Sequence, residues 1–162
     1  MADKTDIPTL RRLLHDCQRI AVVGISAEWH RPSYFVGKYL LEHGYTMVPV
    51  NPKYAEVLGR RCYPSVTAAA AGGVQVDMVD CFRRAEDIGP IADEAIAVGA
   101  RCLWMQLGVV NEAAALRARA AGLDVVMDRC VKIEHGRLFG GLAWAGVNTR
   151  VISSRRPRQL PY

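Results

Sequence analysis

The sequence predicts an α/β domain: a doubly wound, mainly parallel five-stranded sheet with helices on both faces. Three observations lead there. Strand-like and helix-like segments alternate from end to end, which implies βαβ units and right-handed crossovers. The strand segments are continuous apolar or β-branched runs, the pattern of strands covered on both faces. Glycines follow four of the helix segments, at Gly44, Gly72-Gly73, Gly99 and Gly122, where a helix commonly stops.

The elements follow in order. Residues 7–17 place Ile7, Leu10, Leu13 and Leu14 at helical spacing. "RIAVVGI" (19–25) reads as the first strand. A helix over 32–43 begins at Pro32 and repeats apolar residues at Val36, Tyr39 and Leu40. "YTMVPV" (45–50) is the second strand, ended by Asn51-Pro52. Residues 53–64 read as a loop or a short extra strand. Ser65 is placed to cap a short helix over "VTAAAA". "VDMVDCF" (76–82) is the third strand, and 87–99 a helix with Pro90 in its first turn. "RCLWMQLG" (101–108) is the fourth strand, 111–122 a helix capped by Asn111, and "LDVVMD" (123–128) the fifth strand. A single domain over 1–150 and a basic tail over 151–162 are expected. That tail region holds Arg155, Arg156 and Arg158 beside Pro157 and Pro161, with Arg150 just before it. Aromatic residues do not interleave with these arginines as on a single-strand-binding surface, so no nucleic-acid partner is expected.

Composition narrows the class. Of 162 residues, 51% are hydrophobic and 23% charged, as in an ordinary globular chain. No apolar run approaches the roughly 20 residues a membrane span needs, and the first residues carry no signal-peptide h-region. A cytoplasmic protein without a membrane partner is the expectation. The net charge of +5 favours anionic ligands in general. Five scattered cysteines without a C-x-x-C pair argue against a disulfide framework or a zinc site. Cys81 and Cys102 lie in strand-like runs and read as small core residues.

In an open α/β sheet, ligands bind beyond the carboxyl ends of the strands, where strand order reverses. Four segments qualify. In "VVGISAEWHRPSY" (22–34), Gly24 permits a tight turn and Ser26 stands where a dinucleotide fingerprint would have its second glycine. Arg31 and the helix start at Pro32-Ser33 follow, a place that attracts phosphate. The second strand ends "PVNPKY", with Lys53 where an NAD enzyme holds the ribose diol with Asp or Glu. A lysine there suits a ribose carrying phosphate, as in NADP or coenzyme A. In "CFRRAED", Phe82 can line an adenine or pantetheine path. One of Arg83 and Arg84 can face the site while the other pairs with Glu86 or Asp87. In "WMQLGVVNE", Gln106 can hydrogen-bond an amide or carbonyl, and Gly108 opens the following turn.

The blocks "VVGIS…RPSY", "PVNP", "DMVDCFR", "WMQLGV" and "DRCVKIEH" together resemble the small stand-alone coenzyme-A-binding proteins of bacteria. The fold of those proteins is Rossmann-like and similar to the N-terminal domain of the succinyl-CoA synthetase α subunit. The resemblance covers roughly residues 10–145. It implies coenzyme A or an acyl-CoA as ligand. It places the Gly24–Ser26 loop, the Asn51–Lys53 turn and the end of the third strand against the cofactor; with the four segments read above, the expected cofactor-binding set is Gly24, Ile25, Ser26, Arg31, Ser33, Tyr34, Asn51, Pro52, Lys53, Phe82, Arg83, Gln106 and Gly108. The synthetase's second domain, with its phosphorylated histidine, is not expected in a chain of this length. Binding transfers with the resemblance; ligase chemistry does not.

Catalytic machinery is not evident. Glu134 and His135 are adjacent in sequence and point apart on a helix. Cys130, between Arg129 and Lys132, is the one candidate for thiol or acyl chemistry with CoA. The segment around it is expected to form a short helix beside the fourth and fifth strands. His15, His30 and His43 lack metal-ligand spacing. A CoA-binding module is the leading expectation, ahead of an NADP-dependent oxidoreductase or a CoA-linked enzyme using Cys130. The exposed helices of small α/β domains often pair, which leaves a homodimer as a candidate assembly.

Overall fold

Five parallel strands carry the protein, with helices on both faces, a Rossmann-like α/β arrangement. The structure is a computed structural model and describes residues 5–140. The strands are β1 (Arg19–Val23), β2 (Thr46–Val50), β5 (Met78–Cys81), β6 (Cys102–Met105) and β7 (Asp124–Val126). Each is shorter than its apolar run in the sequence, because the ladder ends before the polar turns. Every pairing in this sheet is parallel. The expected end of the domain at residue 150 and the arginine-rich tail lie outside the described residues.

The helices are α1 (Ile7–Asp16), α2 (Pro32–Glu42), α3 (Val66–Ala71), α4 (Ile88–Ala97), α5 (Glu112–Ala120) and α6 (Val131–Phe139). Asp6 caps α1, Ser65 caps α3 and Asn111 caps α5, each through a side-chain oxygen accepting from a first-turn amide. Residues 53–64 hold a two-stranded hairpin, β3 (Glu56–Val57) with β4 (Arg60–Arg61), turned at Leu58-Gly59.

Strand order decides which face each helix covers. The chain runs outward from β1 to β2, then crosses back past β1 to β5, β6 and β7. Right-handed crossovers in opposite directions place their helices on opposite faces. One face buries Ala21, Val48, Val79 and Leu103 under α3, α4 and α5, largely against their alanines. The other buries Ile20, Val22, Met78, Cys102 and Trp104 under α1, α2 and α6. Cys81 and Cys102 are fully buried core residues. Pro49 is tolerated in β2 because β2 is an edge strand; its carbonyl accepts from the Tyr63 amide. The reversal of strand order falls between β1 and β5, so the loops after those strands face each other across a crevice.

Two ionic clusters brace the frame away from that crevice. Asp77 takes both Nε and Nη2 of Arg19 at the amino end of the sheet, and those hydrogen bonds hold its carboxyl below the usual range. Glu134, buried on α6, pairs with Arg137 and Arg129. Its neighbour His135 points elsewhere and takes a 2.8 Å hydrogen bond with the Tyr39 hydroxyl. The two do not form an acid–base pair. Helix α6 packs against α1 and α2 and adds Val131 and Leu138 to the core that holds Trp104 and Val126.

Candidate functional site

Three cavities meet at the carboxyl ends of β1, β2 and β5, and Arg83 lines all of them. The first, of about 370 Å³, is polar: Gly24, Ser26, Glu28, Arg31, Ser33, Asn51, Lys53 and Tyr54 surround it. The second, also about 370 Å³, opens toward α3 and α4 between Val23, Val50, Pro52, Ser65 and Ile91. The third, about 660 Å³, is mainly apolar and runs under Val36, Phe82, Leu107, Val109 and Cys130, with Gln106 among its walls. Pro32, Phe82 and Arg83 belong to both the polar and the apolar cavity. The two are continuous along those side chains.

The loop between β1 and α2 is held by its own hydrogen bonds. The Gly24 amide donates to Val50 O at 2.8 Å, and the Ser26 amide to Ser33 Oγ at 3.0 Å. The Glu28 amide donates to Ser26 Oγ at 3.1 Å. Ser26 thus does by its side chain what a second glycine would do by its absence of one: it closes the turn. Ser33 reaches back from the helix to the loop and is buried. The α2 amino terminus has no side-chain cap, and Pro32 brings no N–H. The Tyr34 and Phe35 amides are already given to Arg31 O. Anion attraction here therefore falls mainly to cations: Arg31, Lys53 and Arg83. Glu28 opposes them in part. It holds the Arg31 guanidinium at 2.9 Å, and that contact keeps its carboxyl below the usual range.

Gly24 has φ +86, and a Cβ there would meet the Phe82 carbonyl. Its role is close packing of the β1 and β5 ends as well as the turn. Asn51 is buried; its Nδ2 donates to Ile25 O at 2.8 Å and its Oδ1 accepts from the Lys53 amide at 3.0 Å. It ties the β1 loop to the β2 loop and points Lys53 at the polar cavity. Arg84 pairs with Glu86 and Asp87 and lines only the apolar cavity, together with Asp87; Arg83 lines all three.

Four expected residues contribute differently. Ile25 is fully buried and offers only backbone. Pro52 lines the crevice toward α3 and α4 and not the polar cavity. Tyr34 and Gly108 line none of the three cavities. The Gly108 amide donates to Asp128 Oδ1 at 2.7 Å, so that glycine serves a turn at the end of β6. Cys130 lines the apolar cavity, and burial raises its thiol above the ordinary cysteine range; the thiol stays protonated near neutral pH.

One residue of interest is missed by the sequence reading. Asp80 sits in β5, paired across the sheet with Val22 and Trp104, and is fully buried. Its Oδ1 lies 2.6 Å from the Gln106 carboxamide, and its Oδ2 has no hydrogen-bond partner. Burial pushes its pKa up to about 7 against the opposing hydrogen bond. The available signal was a carboxylate inside the otherwise apolar stretch "MVDC" of the third strand segment. Among the described residues, no group of three or more His, Cys, Asp or Glu is placed to hold a metal ion. No helix there is long and apolar enough to cross a membrane.

Comparison with known proteins adds the following. A family model described as a CoA binding domain matches residues 18–136. An uncharacterized protein from Bacillus subtilis (strain 168), YneT, is 36% identical over 126 residues, covering 78% of this chain and 91% of its own. A hypothetical protein from Pyrococcus horikoshii OT3 superposes with a TM-score of 0.81 at 41% identity, over 85% of this chain and 94% of its own. The dinucleotide-forming acetyl-coenzyme A synthetase 1 of Ca. Korarchaeum cryptofilum shares the fold at 22% identity, with a TM-score of 0.58 over 67% of this chain and 25% of its own.

Proposed function

The chain belongs to the CoA-binding domain family, and from that premise we propose that it binds coenzyme A across the three cavities that meet at Arg83. The pyrophosphate and the ribose phosphate lie in the polar cavity with Arg31, Lys53 and Arg83. The adenosine turns toward the crevice at Pro52. The pantetheine arm passes Phe82 into the apolar cavity that Gln106 and Cys130 close. The observation that carries this reading is the continuity of a cationic cavity with an apolar one along Pro32, Phe82 and Arg83. Coenzyme A has that same division, with three phosphate groups at one end and a long neutral arm at the other. NADP has the charge without the arm.

The protein serves here as a binding module. The half-buried, protonated Cys130 thiol is a poor nucleophile, and Glu134 and His135 are each committed to other partners. A thermal-shift series tests the reading. Ligand at about 100 times its dissociation constant adds about 2.7 kcal/mol, which for a domain of this size raises Tm by roughly 5–10 °C. Coenzyme A is expected to give that shift and NADP a smaller one. A larger shift with NADP would overturn the proposal.

A further inference from the structure

The polar cavity is walled by three cations and one carboxylate. Arg31, Lys53 and Arg83 line it together with Glu28, the one acid among its lining residues. Glu28 Oε2 lies 2.9 Å from Arg31 Nε and 3.7 Å from His30 Nε2. Arg31 above all, and His30 and Lys53 after it, hold this carboxyl below the usual carboxylate range. An anion of the chain itself therefore lies among the cations that a bound phosphate would need.

The backbone beneath this pair is fixed. The Glu28 amide donates to Ser26 Oγ at 3.1 Å, and the Glu28 carbonyl accepts from the Arg31 amide at 3.0 Å. These bonds close a turn that carries the carboxylate and the guanidinium three residues apart. The side chains above the turn are free to part: they are 54% and 60% exposed, and an ion pair so exposed is weak. A phosphate group carries more charge than a carboxylate and takes a guanidinium through the same paired N–H groups. It outcompetes Glu28 for Arg31. The turn keeps the displaced carboxylate in the cavity wall, where it still repels the incoming charge.

We propose that Glu28 is a tethered anion: it occupies Arg31 in the free protein and yields it to a phosphate of the ligand, so that coenzyme A binds by exchange of one anion for another. The inference rests on the CoA-binding reading above. It gives Glu28 a role opposite to that of the acid in an NAD site. There a carboxylate after the second strand receives ribose hydroxyls; here a carboxylate after the first strand stands in for phosphate and sets how tightly phosphate is held. A ligand group with no more charge than a carboxylate gains nothing at Arg31, so the exchange favours phosphate.

The test is calorimetric titration of the full chain with CoA, at low ionic strength and again at about 0.5 M salt. The proteins are the unmodified chain, Glu28→Gln, Arg31→Ala and the double variant. Gln keeps the length of the side chain and leaves the backbone bonds of the turn in place. Glu28→Gln is expected to bind CoA about three- to fivefold more tightly than the unmodified protein at low ionic strength. At about 0.5 M salt, where the repulsion is screened, the two should agree within about 1.5-fold. In the Arg31→Ala protein there is no pair to break, so adding Glu28→Gln should improve affinity by less, within about twofold. An equal or larger gain in that background overturns the exchange, since Glu28 would then act on the phosphate without Arg31. Unchanged or weaker binding by Glu28→Gln overturns the role of Glu28 and leaves the CoA reading standing. A gain as large at high salt as at low overturns its electrostatic origin. Failure of the unmodified protein and of Glu28→Gln alike to bind CoA overturns both readings.

Discussion

A Cβ on Gly24 would collide with the carbonyl oxygen of Phe82 and sit 3.1 Å from Arg83 Nε. Gly24 therefore sets how closely the end of β1 approaches the end of β5, at the point where strand order reverses. Its φ of +86 adds a second constraint, since a side chain in left-handed backbone costs roughly 1–2 kcal/mol. Gly24→Val is expected to displace Phe82 and Arg83 from the cavities they line. CoA titration should show at least about a tenfold loss of affinity, since a displaced charge-assisted contact alone is worth that much. The fold should persist at a lower Tm. Unchanged affinity would put the ligand elsewhere.

Lys53 and Arg31 share the polar cavity with Glu28, and Lys53 stands where a ribose diol would otherwise meet an acid. Dephospho-CoA is expected to bind about tenfold more weakly than CoA, a charge-assisted contact reduced by exposure to solvent. Lys53→Ala should shrink that difference. The check is a pair of titrations with each protein, at one fixed ionic strength because screening changes the result. Equal affinities of the unmodified protein for the two ligands would remove Lys53 from the phosphate contact.

Arg83 and Arg84 are neighbours with opposite expected effects. Arg83 lines all three cavities, while Arg84 borders only the apolar one and is already ion-paired there with Glu86 and Asp87. Arg83→Ala should weaken CoA by roughly tenfold or more; Arg84→Ala should leave affinity within about twofold, as expected for exposed ion pairs. Reversed outcomes would mean the loop after β5 rearranges on binding.

The fold was legible because its signals are local and repeated. Continuous apolar runs marked the buried parallel strands, and Ser65 and Asn111 marked helix starts that the structure caps as expected. The site was legible in outline only. Glycine, lysine and arginine at strand ends announce a cavity, but sequence does not tell which hydrogen bonds the loop keeps for itself. The Ser33 hydroxyl accepts from the Ser26 amide, and the Ser26 hydroxyl accepts from the Glu28 amide. Gly108 looked like a ligand-facing turn, yet its amide is answered by Asp128, twenty residues on and brought close only by the sheet. Asp80 was passed over because a lone acid in an apolar run gains meaning only when the partner facing it, Gln106, is known.

Cys130 tests whether the apolar cavity binds or reacts. Burial raises its pKa, so at neutral pH the thiolate fraction is below that of an ordinary cysteine. Iodoacetamide should label it slowly in the folded protein, with a rate that rises as pH increases toward the alkaline range. Cys130→Ser should keep CoA affinity within a few-fold. Rapid labelling at pH 7, or a CoA mixed disulfide on Cys130 in protein purified without reductant, would favour thiol chemistry at this position.

Asp80 gives the fold a pH dependence of unusual sign for a carboxylate. Its pKa rises to about 7 on burial, from an ordinary value near 3.9 in an unfolded chain. Between those two values the folded state holds a proton that the unfolded state releases. Stability therefore falls as pH rises through this window and levels off above the folded pKa. Three pKa units correspond to about 4 kcal/mol, a ceiling for what full ionisation in the unfolded state can take away. Asp80→Asn has nearly the same shape and no proton to lose. The difference in unfolding free energy, variant minus unmodified protein, should be small near pH 4, grow in favour of the variant up to about pH 7, and then stay flat. Urea unfolding at several pH values measures it, and comparing the two proteins cancels the titration of every other group. If the unmodified protein instead gained on the variant as pH rose, Asp80 would be ionised in the fold and held by a partner, and the neutral acid beside Gln106 would be the wrong description of this strand.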